Sequence, residues 1–208
     1  MKGLIIKDLY MTAKYCRTNI IISLIFLLLS LVNPDNLFFA FYPAMLSGII
    51  PTNLLAYDER SRWLQYSETL PYSRAQIVNS KYIIGLIAQG ATLIIAGAAH
   101  AAVMISADTF EISTFGIFML LLISMSLFSS SINLPFMFKY GVEKGRLAYY
   151  IMVGIVCGGT AVSSQLLIVD VQQQNDLLVA LPIVCLISIA LFALSWYLAI
   201  VFYKKREL

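Results

Sequence analysis

Side chains that could carry out chemistry inside the apolar parts of this 208-residue chain are very few. His100 is the only histidine, and it is the only side chain in the middle of an apolar segment that titrates near neutral pH. A metal centre needs a cluster of histidine, cysteine or carboxylate ligands, and general acid–base catalysis by carboxylates needs a pair of them. The apolar segments supply neither, so we predict no catalytic residue and no metal site. A serine paired with His100 is left open, but no glycine-flanked serine indicates a nucleophile, and we expect His100 to be a hydrogen-bonded packing residue.

The one glycine-rich polar string, GVEKGR at residues 141–146, is the only candidate for a phosphate-binding loop. It lacks the Gly-Lys-Ser/Thr ending with which such a loop holds nucleotide and Mg²⁺. The chain is therefore not expected to hydrolyse ATP. If it takes part in active transport, a partner must supply the energy.

The composition indicates what these few polar residues are embedded in. Hydrophobic residues make up 60% of the chain and charged residues only 12%, about half the charged fraction of a soluble domain. A soluble fold of this composition would expose apolar patches larger than a monomer tolerates. These values exclude a cytosolic enzyme, a disordered tail, a coiled coil and a nucleic-acid-binding protein. We predict an all-α integral membrane bundle that forms a single domain over residues 1–208.

Six apolar stretches approach the 20 or so residues that a membrane-crossing helix needs. Short polar, turn-forming clusters such as NPDN at residues 33–36 separate several of them. The predicted spans are residues 19–33, 37–57, 81–106, 114–138, 148–169 and 177–203.

The charges predict how these spans are oriented. All 14 lysines and arginines lie before the first span, in the second and fourth connections or in the C-terminal tail. That side carries a net charge of +8, whereas the other three connections hold 5 acidic residues and no basic one. Because cytoplasmic loops are enriched in lysine and arginine, we expect both termini to be cytoplasmic.

Residues 1–18 have the pattern of an amphipathic helix lying on the membrane surface. Apolar residues recur near helical spacing, with Lys7, Lys14 and Arg17 between them, and we expect this helix to bind anionic membrane lipid. The alternative is a cytosolic extension of the first span. The apolar residues are Leu4, Ile5, Leu9, Ala13 and Cys16.

The second connection, residues 57–81, contains signals for helix formation that a flexible linker would not need. Apolar residues between Trp63 and Leu70 predict a short helix, and Pro71 ends it. Ser73 and Gln76 then have the spacing of a capping box at the start of a new helix. A helix that lies on the membrane without a partner is the alternative reading of this segment.

Two motifs in the second and fourth connections indicate a family. These are LPYSR at residues 70–74 and KYGVEKGR at residues 139–146. Together with the span count and orientation, they resemble the permease subunits of type 2 ATP-binding-cassette exporters. The resemblance is to a small six-span bacterial branch, similar to exporters of phenol-soluble modulins and bacteriocin-type peptides.

The resemblance implies partners and a coupling site. Two copies of a cytoplasmic ATPase, with ATP and Mg²⁺ bound to them, would act on two permeases that form a homodimer or a pair of close homologues. Residues 57–70 would be the coupling helix, with Trp63 as its aromatic anchor and a charged rim around it. Gly141 and Gly145 would permit a tight turn after Pro135 breaks the fourth span; the alternative is a helix-ending turn without ATPase contact. The predicted coupling residues are Asp58, Glu59, Arg60, Arg62, Trp63, Leu70, Pro71, Ser73, Gln76, Gly141 and Lys144.

The remaining predictions concern packing and substrate. Gly154 and Gly158 form a GxxxG pattern that would pack either at the dimer axis or within the chain. Few polar side chains are available to line a pathway, so we expect a hydrophobic or amphipathic substrate. The resemblance implies a peptide as the first choice, and lipids and hydrophobic drugs are left open. An ATP-independent channel or secondary carrier, and a membrane scaffold that transports nothing, are the alternatives. The candidate pathway residues are Gln89, His100, Asn133 and Gln165.

Overall fold

The computed structural model describes residues 2–33, 38–67, 69–145, 147 and 174–205, and the regular structure in this part of the chain is helical. We number the helices in chain order: α1 (Lys2–Tyr15), α2 (Arg17–Val32), α3 (Phe38–Arg60), α4 (Trp63–Ser67), α5 (Arg74–Ser106), α6 (Ile112–Tyr140) and α7 (Gln174–Lys205). The predicted fold class, an all-α membrane bundle, is therefore confirmed.

Four of the described helices are long and apolar enough to cross a membrane, namely α3, α5, α6 and the part of α7 from Leu181 onward. Helices α1 and α2 pass the same test only when taken together, and they are bent by 66° relative to each other. This gives four candidate spans, or five if the bent pair counts as one. The predicted span at residues 148–169 lies outside the described residues, so six spans remains a prediction.

Helix α1 differs from the predicted amphipathic helix in the faces it presents. Leu4 and Asp8 point into the bundle and are almost fully buried, whereas Leu9 is 52% exposed. The predicted apolar face is therefore divided between two sides of the helix. The physical reason is that α1 packs against α5 and α3, which takes one face of the helix out of contact with its surroundings.

Four prolines lie inside the described helices, among them Pro182 in α7. Pro43 and Pro51 are within α3, as the sequence indicates, but the expectation that Pro135 breaks the fourth span is wrong, because α6 continues through it to Tyr140. The helix ends at Gly141, whose φ of 83° and ψ of 172° lie in a region that only glycine adopts readily. Glycine, rather than proline, therefore ends this helix.

The helices pack with α6 alongside α7 and α3, and with α5 against α3 and α7. Helix α7 presents one buried stripe, formed by Leu181, Cys185, Ser188, Phe192, Ser195, Ala199 and Tyr203. The largest apolar cluster joins α1, α3, α5, α6 and α7 at one end of the bundle. We call this end, which holds α1, residues 61–73, residues 141–145 and the C-terminus of α7, the basic end.

Candidate functional site

The segment between α3 and α5, residues 61–73, is structured at the basic end. Helix α4 forms within it, and Ser73 caps α5. The backbone N–H of Gln76 donates to the Ser73 hydroxyl at 3.3 Å, and the backbone N–H of Ser73 donates to the side-chain oxygen of Gln76 at 3.1 Å. The predicted capping box is therefore confirmed, and it fixes where α5 begins.

The aromatic residues of α4 face in different directions. Trp63 is half-buried and packs against the apolar cluster, with the Lys7 Nζ 4.2 Å from its ring centroid. Tyr66 lies beside it, with ring centroids 5.6 Å apart, but is 59% exposed. The segment thus presents Tyr66 outward, whereas Trp63 attaches it to the bundle and to α1.

Four charged residues lie in contact beneath this segment, and we call Lys7, Asp8, Asp58 and Lys81 the charge quartet. Lys81 Nζ lies 2.7 Å from Asp8 Oδ1 and 2.5 Å from Asp58 Oδ2. Lys7 Nζ lies 2.8 Å from Asp58 Oδ1 and 3.3 Å from Asp8 Oδ1. Each cation therefore contacts both carboxylates, and the formal charges cancel.

The charge quartet is buried, since the side chains of Asp8, Asp58 and Lys81 are each 1% exposed and that of Lys7 is 24% exposed. The hydroxyl of Ser80 donates a further hydrogen bond to Asp8 at 2.9 Å. Asp58 therefore lies inside the bundle, which differs from its expected place on a charged rim, because the two lysines draw its carboxylate inward.

The sequence did not lead us to Asp8, or to the contacts that Lys7 makes with the two buried carboxylates. One signal was present: Asp8 lies one helical turn after Leu4 and two turns before Cys16, on the face that the structure buries. A carboxylate on such a face needs a cation from another helix. The sequence alone does not indicate which of the many lysines and arginines provides it.

A second link joins the end of α3 to the turn after α6. The Glu59 carboxylate accepts a hydrogen bond from the Val142 amide at 2.8 Å. Gly145 fits closely there, because a Cβ atom on it would lie 2.5 Å from Met137 Cγ and 3.0 Å from Met137 Cα. The tight turn expected at Gly141 and Gly145 is thus present.

A cavity of about 800 Å³ opens beside this turn. It brings together four of the predicted coupling residues, Glu59, Arg60, Gly141 and Lys144. The rest of its lining is rich in tyrosine and asparagine, and comprises Tyr15, Thr18, Asn19, Asn53, Ala56, Tyr57, Tyr140, Val142 and Glu143.

The remaining predicted coupling residues lie on the segment itself. Arg62 and Pro71 are exposed, and Leu70 is half-buried. On the far side of the segment, the Arg74 guanidinium donates to the carbonyl oxygens of Tyr203 and Lys204 at 3.4 and 3.3 Å. Residues 61–73 thus contact α1 through Trp63, and Arg74, which follows them at the start of α5, contacts the C-terminal end of α7.

The candidate pathway residues that the structure describes lie within the bundle, and Asn133 is next to Leu134 of the apolar cluster at the basic end. Gln89 is 2% exposed and donates to the Ser126 carbonyl at 3.1 Å, and Asn133 is equally buried. His100 stacks on Phe118, with ring centroids 3.8 Å apart, so it packs against an aromatic ring. Gln165, Gly154 and Gly158 lie outside the described residues.

Residues 3–204 match the model of a family described as ABC-2 family transporter protein. The chain belongs to the ABC-2 transporter family. No curated protein and no solved structure matches it.

Membership of the ABC-2 family makes this chain the membrane component of an ABC transporter, which is not itself the catalytic subunit. Permeases of this family normally work with a cytoplasmic ATPase. The candidate helices for crossing the membrane agree with a multi-pass membrane protein.

Proposed function

We propose that this ABC-2 permease is the transmembrane subunit of an exporter, and that a separate ATPase drives it by docking on residues 61–73. The observation that carries the proposal is the construction of that segment. It is a structured projection between two long apolar helices, held to α1 by the contact between Lys7 and Trp63 and followed at once by the cap of α5, whose Arg74 contacts α7. A segment attached in this way can pass a displacement to those helices, which a slack loop cannot do.

The docking face that we propose centres on Tyr66. Its ring is exposed, Arg62 and Gln65 of the same segment are exposed as well, and Arg60 is exposed at the end of α3. Exposed aromatic residues flanked by arginine are typical of the anchors that dominate protein interfaces. Trp63, the anchor expected from the sequence, then has a supporting role, because its ring packs against the bundle and holds α4 in place.

The transport cycle that we propose uses two permeases and two ATPases. ATP and Mg²⁺ bind to the ATPases, whose closure displaces residues 61–73 in both permeases. In this proposal six spans cross the plasma membrane of a bacterium, with the basic end and both termini in the cytoplasm. The clustering of lysine and arginine at one end of the bundle supports that orientation.

A hydrophobic or amphipathic substrate, with a peptide as the first choice, agrees best with the polar residues available. Gln89 and Asn133 are enclosed between helices, so they do not offer charged solutes a polar route through the described part of the chain. Large apolar side chains on α2, such as Leu28 and Val32, are 63% and 75% exposed and would face lipid, a second permease or such a substrate.

The test is co-purification of the permease with the ABC ATPase encoded beside it. We expect a stoichiometric complex whose ATPase rate differs from that of the free ATPase. Tyr66→Ala should weaken the complex about tenfold or more, as expected for an interface anchor. Tyr10→Ala is the matched control, because Tyr10 is 69% exposed on α1 and lies outside the docking face.

Three results would contradict the proposal. Failure of the wild-type chain to bind the ATPase would exclude an ATP-driven permease, and flux that persists after nucleotide depletion would favour a channel or secondary carrier. Equal binding by the Tyr66→Ala and wild-type chains would exclude the docking face. The orientation is tested separately by labelling a cysteine placed at Asp108 with a membrane-impermeant reagent, which should react from outside the cell.

A further inference from the structure

The charge quartet is more elaborate than an attachment of α1 to the membrane surface requires. Three of its four members are almost fully buried, and every charge has two opposite charges within 3.3 Å. Buried ion pairs contribute little net stability compared with apolar packing, and losing one partner leaves an uncompensated charge. Such a cluster is best retained where it fixes one helix relative to others.

The members of the charge quartet lie on the three helices that meet around residues 61–73. Asp58 is near the end of α3, just before the segment, and Lys81 lies in the second turn of α5, just after it. Lys7 and Asp8 both come from α1. The quartet therefore ties α1 to the two helices from which the docking segment projects.

Helix α1 also contacts the segment directly at two places. The Lys7 Nζ lies 4.2 Å from the Trp63 ring centroid while contacting both carboxylates of the quartet. At the start of the helix, a Cβ atom on Gly3 would lie 3.3 Å from the Tyr72 hydroxyl oxygen. Lys7 is thus the one described side chain that joins the charge quartet to Trp63 of the docking segment.

We propose that α1 is a transmission element of the transporter, and that Lys7 and Asp8 are positioning residues that pass a displacement of residues 61–73 through α1 to α2. This inference rests on the proposed function, because it requires an ATPase to move the segment. When α4 moves, Trp63 displaces Lys7, and the quartet moves with it because no member can leave without exposing a buried charge.

The outward face of α1 fits this role. Ile6, Leu9 and Tyr10 are 67%, 52% and 69% exposed, so this face offers apolar side chains to the membrane surface rather than to another helix of the described chain. The inward face carries the ionic contacts. A helix that slides along the lipid surface while fixed ionically on its other side can transmit a movement to α2 through the bend between them.

The test measures movement of α1 in the complete permease–ATPase complex in lipid nanodiscs. Spin labels are placed at Tyr10→Cys on α1 and at Ile94→Cys on α5, both highly exposed positions, in a chain whose native cysteines are replaced by serine. With saturating ATPase, trapping with ATP and vanadate should shift the mean label distance by about 2 Å or more.

Lys7→Gln should abolish that shift, and Lys7→Arg, which keeps the charge and the contact with the Trp63 ring, should restore it. Lys14→Gln is the matched control, because Lys14 is an exposed lysine of α1 outside the quartet. A second variant, Asp8→Asn with Lys81→Gln, removes one cation and one anion together, so the net charge of the buried site stays zero. It should fold, bind the ATPase and lose the shift.

Each outcome decides the question. If the wild-type chain binds no ATPase, the proposed function fails and this inference fails with it. If the wild-type complex forms and shows the shift, but Lys7→Gln and the neutral pair show it equally, the quartet is a structural contact only and the inference is overturned. A wild-type complex that is active without any movement of α1 overturns it as well.

Discussion

Lys81 Nζ lies 2.7 Å from Asp8 Oδ1, and this contact joins residues 73 positions apart in the chain. Both side chains are 1% exposed. The pair holds the N-terminal helix against α5 at the point where α5 enters the apolar part of the bundle. Its position indicates that α1 belongs to the folded core of the basic end, and its removal should therefore affect the stability of the whole bundle.

Asp8→Asn should destabilise the protein by about 3–5 kcal/mol, because it leaves the Lys81 ammonium buried with one carboxylate fewer. Combining it with Lys81→Gln should recover most of that loss. The measurement is thermal unfolding in detergent, with Lys14→Gln as the control, which should stay within about 0.5 kcal/mol of wild type. A single variant as stable as wild type would show that the charge quartet does not hold α1.

Gly141→Ala should cost about 1–3 kcal/mol, because φ of 83° with ψ of 172° is strained for any residue with a Cβ atom. The strain would also disturb the amide of Val142, which donates to Glu59. Gly116→Ala in α6 is the control, since a Cβ atom there meets nothing within 4 Å. Equal melting temperatures for the two variants would contradict this account of the turn.

Gly48→Ala should destabilise the contact between α3 and α6 by about 1–3 kcal/mol through overpacking. The new Cβ atom would lie 3.0 Å from Ser129 Cβ and 3.1 Å from the Ser126 carbonyl oxygen. A backbone oxygen within a helix cannot withdraw alone, so the helices would separate and weaken the hydrogen bond from Ser130 to the Gly48 carbonyl. Gly90→Ala, where nothing lies within 4 Å, should be neutral or stabilising.

Glu111, which directly precedes α6, should make the stability of the folded protein depend on pH. Hydrogen bonds from the Ser113 and Thr114 hydroxyls hold the pKa of its carboxyl group below the ordinary value. A pKa lowered by folding stabilises the folded state above the unfolded pKa, and this contribution is lost as the pH falls through the folded pKa. Glu111→Gln should therefore lower the melting temperature slightly at neutral pH, and the difference from wild type should shrink as the pH falls through the folded pKa of Glu111. A difference that persists in acid would contradict this assignment.

What the sequence predicts well are features set by local pattern. The capping box needs only Ser73 and Gln76 at the right spacing, and the long apolar helices follow from runs of apolar residues. The capping box also gives the start of α5 at Arg74, whereas the apolar stretch by itself begins only at Lys81. Polar helical turns that lie beyond an apolar segment do not show in hydropathy.

Features that depend on contacts between helices could not be predicted in the same way. The orientation of α1 is decided by the contact of Asp8 with Lys81 in α5. The spacing of apolar residues alone places Leu9 on the same face as Leu4, whereas in the structure Leu4 is buried and Leu9 is exposed. Trp63 likewise carries no local signal that it faces inward and Tyr66 outward. For Pro135, the sequence predicts a break, but neighbouring helices can compensate for one missing backbone hydrogen bond inside a membrane bundle.

Cys16, at the bend between α1 and α2, should report on the integrity of the charge quartet. Its side chain is 2% exposed and packs with Ile50, Leu54 and Ile84. A polar maleimide can reach it only when α1 separates locally from the bundle, so the labelling rate follows the population of that open state. We expect slow labelling in a chain whose only cysteine is Cys16.

Asp8→Asn in the same chain should raise the labelling rate of Cys16 about tenfold or more, since a loss of 1.4 kcal/mol from the closed state is enough for that factor. Tyr10→Cys, as the only cysteine, is the control: it is exposed in the closed state, so Asp8→Asn should leave its rate unchanged. If Cys16 labels as fast as Tyr10→Cys while Asp8 is still present, Asp8 does not hold α1 against the bundle. Helix α1 could then not transmit a movement from the docking segment to α2.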